Sequence, residues 1–570
     1  MSDYKISQIT ELTFFLICSL FCIYFIVFLF PAPYFLIGDF SGTAAYDSEP
    51  DYFANILSYR SNGHPMDFLH PGIPISYLTG YALNLISQSY TVEEIIQISR
   101  SIILFLNFLF IYIGSRLILR QELQATFLIL VMLFIFPAGF VLIDIVSPNS
   151  ILFGLSVLII ALGSKLNKFN LGILLSYGFF LGFAVSLKYT AIILILPYFL
   201  SLFLSSSKIL NFNANKLMHM TSIVVLFISS FTFFAWPIVP FIPFAITHHD
   251  LNISPLFLLL SNPVLIFTLG LSLLLLTYIS RKIFKRYINL NYRTIYFFVC
   301  FLICFFSIII VLKNSFFSNS YLSYAYDSRD FLLLFGAGVL FIPEILKIKH
   351  SCKKLEYMLA ILITCIGLKA FYNISMLEKA QKEELSFSRF VKNIGDYDFY
   401  TFYPPFSFAS KDLFVAWADY RYGDSKKNFS SNENGVFINY STNKYRILNS
   451  RKFNLPESSN KFFEKYLKFL LSNNLMSNSQ KKVGLNQINL LKSKNICFEL
   501  FDGFSENSSF VIIIPDGLSS YMKAANVDEL KNGAEYVQSL SKELNLTCGM
   551  ETKISHTNYG SQKMHLLEKL

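Results

Sequence analysis

The chain has 570 residues, 54% of them hydrophobic and 15% charged, where an average soluble domain carries about 25% charged residues. With 62 Phe and a mean hydropathy of +0.49, it reads as a polytopic α-helical membrane protein, which excludes an ordinary soluble enzyme. The net charge of +10 falls in short loops between apolar runs. That placement orients helices in a bilayer and argues against a nucleic-acid partner.

From the N-terminus, apolar runs recur at 12–30, 96–115, 125–143, 148–162, 171–187, 191–204, 221–236, 256–278, 295–312, 331–345 and 357–372. They amount to about eleven spanning helices, several shorter than the ~20 residues a perpendicular crossing takes. No small-residue cleavage site follows the first run, so it is expected to span rather than to act as a signal peptide. The loop charges alternate. One set of loops carries Arg116, Arg120, Lys165, Lys168, Lys208 and Lys216, then the clusters at 281–286 and 347–354. The other carries Asp47, Glu49, Asp51, Asp67, Asp144, Asp250, Asp327 and Asp330. Basic loops stay in the cytoplasm. The N-terminus is therefore expected inside, and the acidic first loop and everything beyond the last run outside.

That first outer loop, at residues 34–95, contains Tyr46-Asp47-Ser48-Glu49-Pro50-Asp51-Tyr52 and, further on, His70-Pro71-Gly72. Carboxylates at a membrane exit are costly to desolvate and stand where a proton or a cation is handled. A plain solvated loop is the alternative. Five basic residues fall on the outer side against the charge rule: Arg60, Arg100, Lys188, Lys313 and Arg329. Such residues either snorkel and pair locally, as Arg329 can with Asp327 or Asp330, or clamp an anionic headgroup. Lys188 has no acid in its flanks. His248-His249-Asp250 lies in a later outer loop. Neighbouring histidines in an extended chain point apart, so a substrate-contacting loop fits this step better than a metal site. A divalent metal ion shared with the first-loop acids stays open, and no other cofactor is implied.

Taken together, these motifs resemble the GT-C superfamily of multi-spanning glycosyltransferases, and within it the protein O-mannosyltransferases and the aminoarabinose transferases of lipid A. Those enzymes keep an acidic motif with a following tyrosine just beyond the first helix, where Asp47, Glu49, Asp51 and Tyr52 stand here. A His-Pro step follows in them, as at His70-Pro71. The run Leu181-Gly182-Phe183-Ala184-Val185-Ser186-Leu187-Lys188-Tyr189 is similar to their glycine-to-Lys-Tyr turn, and Ser328-Arg329-Asp330 to the arginine before a late helix. Gly72 replaces a second proline, and Ser48 splits the acidic pair. The resemblance covers roughly the first 375 residues, and its motifs are short. It implies a polyprenyl-phosphate sugar as donor and an acceptor hydroxyl on a glycan, lipid or protein. Asp47 would be the general base, with Glu49 and Asp51 behind it. Lys188 and Arg329 would hold the donor phosphate, and His70, Tyr52 and His249 would contact substrate.

Residues 376–570 change character. Asn, Ser, Lys and Glu dominate, with strands expected at 399–403, 435–440, 496–501 and 510–514 and amphipathic helices at 459–471 and 527–544. The alternation predicts a C-terminal extracytoplasmic α/β domain after a membrane domain over 1–375. Cys497 and Cys548 are expected to pair in an oxidising compartment. The expected location is a bacterial inner or plasma membrane. Two other classes fit a polytopic chain. A flippase or transporter of lipid-linked saccharides would carry inverted repeats and charges near the bilayer midplane. A polysaccharide ligase or assembly scaffold would not need the early acidic loop.

Overall fold

The computed structural model describes residues 2–32, 49–62, 72–85, 90–119, 123–135, 140, 142–166, 170–205, 214–235, 292–293, 295–302, 353–395, 398–402, 438–439, 445–448, 509–516, 532–559 and 562–570. The chain divides into two compact units. One comprises Met1–Leu29, Leu69–Ile75 and Arg100–Ala370; the other comprises Phe30–Phe68, Ser76–Ser99 and Phe371–Leu570.

Long apolar helices dominate the first unit. Among the described residues, Thr10–Leu29, Glu94–Ile118 and Leu359–Glu378 are long and apolar enough to cross a membrane. Pro148–Gly163, Leu171–Leu187, Ala191–Ser201 and Thr221–Phe234 are apolar but shorter. The first helix, Ser2–Ile23, runs into a π-helical turn at Tyr24–Leu29. Its Glu11 pairs with Arg116 of the Val92–Leu119 helix, fastening the two together. The Leu171–Leu187 helix starts at Asn170, whose side chain accepts from the Ile173 N–H and so satisfies one orphan donor. It packs along Ala214–Ala235 through Gly178 and Gly182. A Cβ on Gly182 would stand 2.7 Å from the Phe231 nitrogen and from Ser230 Cβ, so only glycine permits this approach. Ser230 Oγ then donates to the Phe179 carbonyl at 2.7 Å. In lipid, where burying apolar surface gives no drive, close backbone packing and such bonds hold helices together.

Several expected runs change at their ends. Of the run at 125–143, Leu123–Ile135 is described as a helix, and residues 143–147 beyond it form turns and bends. The run at 191–204 opens with a 3-10 helix, Tyr189–Ile195, before the α-helix Leu196–Ser205. Of 295–312, residues 295–302 are described and helical; the runs at 256–278 and 331–345 lie outside the described residues.

In the second unit, much of the sequence read as a polar first loop is helix. Glu49–Asn62 coils with Pro50 in its opening turn, where a missing N–H costs no hydrogen bond. Tyr52, Phe53, Ile56 and Leu57 share one face and are buried. A second helix, Ile73–Leu85, follows, and its Tyr77 ring meets Tyr59 edge-on with centroids 4.9 Å apart. The 42-residue helix Lys353–Ile394 begins with the apolar run and continues well past it. Asn373, just beyond that run, donates to the Phe30 carbonyl at 2.8 Å.

Seven strands are described: β1 (Tyr90–Thr91), β2 (Asp398–Phe402), β3 (Ile438–Asn439), β4 (Tyr445–Leu448), β5 (Phe510–Pro515), β6 (Thr552–Tyr559) and β7 (Gln562–Lys569). The pair β1–β3 is parallel. The other five form one mixed sheet in the order β4-β2-β5-β7-β6, parallel across β4, β2 and β5, with β7 antiparallel to both its neighbours. Central β5 is apolar at successive positions and buried from Phe510 to Ile514, as a strand covered on both faces must be. The helix Gly533–Cys548 lays Val537, Leu540 and Leu544 over Ile512, Ile514 and Leu567. It ends at Gly549 in the left-handed conformation (φ 64°), which places the Gly549 N–H on the Asn545 carbonyl. Strands at 399–403, 435–440 and 510–514 and the helix at 527–544 thus find counterparts in β2, β3, β5 and Gly533–Cys548. The β6–β7 hairpin and β4 were not expected; the strand at 496–501 and the helix at 459–471 lie outside the described residues. Cys548 takes part in a disulfide, and its expected partner Cys497 also lies outside them.

Candidate functional site

In the first unit a buried loop over 142–150 gathers the polar chemistry. The segment runs into the first turn of the Pro148–Gly163 helix, whose N-terminus Ser147 caps by accepting from the Asn149 N–H at 3.1 Å. Ser150 shares its one O–H between the carbonyls of Leu142, at 2.6 Å, and Ile145, at 2.7 Å. Those bonds let irregular backbone persist in a dry interior, where an unmatched carbonyl would be costly. At one end of the loop Asp144 forms an ion pair with Lys369 at 2.8 Å, the side chains being 1% and 0% exposed. Arg100 is equally buried and close enough for its charge to act on Lys369. The Lys369 ammonium also lies 5.5 Å from the centre of the Phe140 ring.

The other end of the loop holds Lys188. This residue interrupts the two helical segments around it: its backbone is extended (φ −155°, ψ 122°) while its N–H still caps Ala184. Its ammonium donates to Asn149 Oδ1 at 2.8 Å. Arg100, Lys188 and Lys369 thus bring three positive charges to the region around one short loop whose named acid is Asp144. A helix N-terminus adds its partial positive charge there.

The other residues singled out from the sequence fall as follows. Glu49 opens the Glu49–Asn62 helix and is buried, with Tyr52 buried on the same face one turn on. Asp51 lies in that helix. Asp47, His70, His249 and Arg329 lie outside the described residues. Among the described residues, no group of His, Cys, Asp and Glu converges as a metal site would. The sequence reading counted Arg100 and Asp144 only as outer charges and passed over Lys369. The available signal was a charged residue in the middle of an apolar run, which is costly unless paired inside a bundle.

The second unit holds another arrangement that the sequence did not disclose. His565 on β7 lies opposite His556 on β6, and the two Nδ1 atoms are 2.8 Å apart. His565 Nε2 is 2.8 Å from Asp516 Oδ1, just beyond the end of β5. The carboxylate accepts from Nε2–H, and in the neutral His565 ring Nδ1 then accepts in turn. His556 must then donate from Nδ1, which leaves its Nε2 as an exposed lone pair. Desolvation, then the His565 ring and the Lys563 ammonium, hold the His556 pKa below its ordinary value, against the opposing pull of Asp516.

No family model matches this chain, and no curated protein matches it in sequence. Among solved structures it is similar to ArnT from Cupriavidus metallidurans bound to undecaprenyl phosphate. The two share 10% identity at a TM-score of 0.39, with 97% of each chain covered.

Proposed function

We propose that this chain is a membrane glycosyltransferase of the GT-C type, moving a sugar from a polyprenyl phosphate to an acceptor hydroxyl at the outer face of the membrane. On this reading about eleven helices span the bilayer. The N-terminus is cytoplasmic, and residues 376–570 form a domain outside a bacterial inner or plasma membrane. Asp47, or failing it Glu49 or Asp51, takes the proton from the acceptor hydroxyl. The hydroxyl oxygen bonds to the anomeric carbon as the bond from that carbon to the phosphate oxygen breaks. The departing electron pair stays on the lipid phosphate, whose charge Lys188 and Arg329 balance. His70, Tyr52 and His249 contact the substrates.

One observation carries the reading. Lys188, the residue that the resemblance assigns to the donor phosphate, is held by Asn149 on the same buried loop that anchors Lys369 beside Arg100. Charges buried inside a membrane bundle are costly and mark functional sites, and on this reading Lys188 is the one that meets the donor phosphate. The test compares lipid-linked sugars and surface glycans by mass in cells with the protein, without it, and with Lys188→Ala. Loss of one envelope sugar together with build-up of its polyprenyl-phosphate form is expected without the protein. Lys188→Ala should slow donor use about 10- to 100-fold, the equivalent of one buried bond to a charged group at ~1.5–3 kcal/mol. Unchanged glycans with altered movement of lipid-linked saccharides across the membrane would replace the transferase with a flippase.

A further inference from the structure

In the second unit, a groove of about 620 Å³ runs between the last turns of the Lys353–Ile394 helix and the β6–β7 hairpin. It falls within the ~300–1,000 Å³ typical of small-molecule sites. Lys382, Ser386, Arg389 and Asn393 line it from the helix. They stand four, three and four residues apart, the spacing that keeps side chains on one helical face. Thr557, Asn558 and Glu568 line it from the hairpin. Between these polar rows lie Phe390 and Leu566, both nearly buried.

We propose that this groove binds an anionic saccharide, and, resting on the transferase reading for its role, that the saccharide belongs to the acceptor. The lining discriminates among ligand classes. Lys382 and Arg389 are exposed, and among the described residues neither makes an ion pair, so both are available to an acidic group. A bare inorganic anion is a poor occupant, because Glu568 faces the same space and would repel it. A carboxylate calls for hydroxyl donors. Glu568 already accepts from Ser555 at 2.9 Å and has lone pairs to spare. Hydroxyl and amide groups of Ser386, Asn393, Thr557 and Asn558 both donate and accept, as a ring of sugar hydroxyls requires. Buried Phe390 and Leu566 form an apolar floor between the polar rows, against which C–H groups of a sugar can rest. A ligand that satisfies the whole lining carries hydroxyls, an acidic group and an apolar face together.

The acidic group can be a carboxylate, as in a uronic acid, or a phosphate ester. Binding to the full-length protein in detergent micelles would be measured by calorimetry with oligogalacturonate, with a phosphorylated mannose oligosaccharide, and with a neutral galactose oligosaccharide. At least one acidic probe should bind at least tenfold more tightly than the neutral one, with affinity falling as salt is raised. The preferred acidic probe identifies the source of the charge. Arg389→Gln and Lys382→Gln should each weaken acidic binding several-fold. Glu568→Gln should weaken the neutral contacts and leave thermal stability unchanged. Equal binding of neutral and acidic probes, no binding of any, or full affinity in the Arg389→Gln/Lys382→Gln double variant would overturn the proposal. Transfer failing with every acceptor while acidic binding persists would count against the transferase reading and leave the groove standing.

Discussion

Asp144→Asn should damage the first unit more than Lys369→Met, and adding the second change to the first should partly repair it. The two side chains lie 2.8 Å apart and are 1% and 0% exposed, so water screens neither. At an effective dielectric of about 20, charges that close attract by roughly 6 kcal/mol, much of which offsets their desolvation. Removing one partner strands the other, at about 3–5 kcal/mol. Arg100 makes the two losses unequal. Asp144→Asn leaves Lys369 and Arg100 as like charges in one dry neighbourhood. Lys369→Met leaves an acid with an arginine close by. The double variant carries a single buried cation and should fall between the two. The expected order of stability is wild type, Lys369→Met, double, Asp144→Asn. Purified variants heated in detergent for a fixed time and scored by surviving monodisperse protein would give that order, since unfolding of large proteins is commonly irreversible. Asp144→Asn matching wild type, or a double variant less stable than Asp144→Asn, would refute the electrostatic account.

Acidification should loosen the β6–β7 hairpin. His556 titrates below its ordinary 6.5 when folded, so the unfolded chain binds more protons in that window and stability rises with pH. The contribution is fully present above 6.5 and is lost as pH falls through the folded value. Hydrogen exchange of the hairpin, corrected for intrinsic rates, should be slower at neutral than at acid pH, and His556→Gln should erase the difference; equal protection at both would contradict it. Gly182→Val should separate the Leu171–Leu187 and Ala214–Ala235 helices, because its Cβ lands 2.7 Å from backbone. A loss of about 1–3 kcal/mol is expected from such overpacking, read as lower surviving protein after heating, and wild-type survival would show that the helices do not approach so closely.

Some of this architecture was legible in the residue order, and the reasons differ from place to place. Leu171–Leu187 and Pro148–Gly163 were readable as apolar runs, and the structure adds the caps at Asn170 and Ser147. The helix Glu49–Asn62 hid behind Pro50 and its acids, which read as loop although proline is at home in a first turn. Strand β6 was missed because Lys-Ile-Ser-His-Thr-Asn is mostly polar on both faces of the strand. Lys188 stood out because it interrupts two apolar runs. Its partner Asn149 did not, since a lone amide after a proline carries no local mark. Asp144 and Lys369 are far apart along the chain, and only folding reveals that each accounts for the other.

The Asp144–Lys369 pair also sets an order of assembly. Arg100 and Asp144 leave the ribosome long before Lys369, which arrives on the Leu359–Glu378 span. Until then the early helices hold an acid without the lysine that will meet it. Lys369 itself resists entering lipid, by ~2.5–3.5 kcal/mol for a charge at mid-helix. The waiting carboxylate offsets that resistance, so the late helix is drawn to one position in the bundle. A truncated or misthreaded chain keeps its buried acid without that lysine.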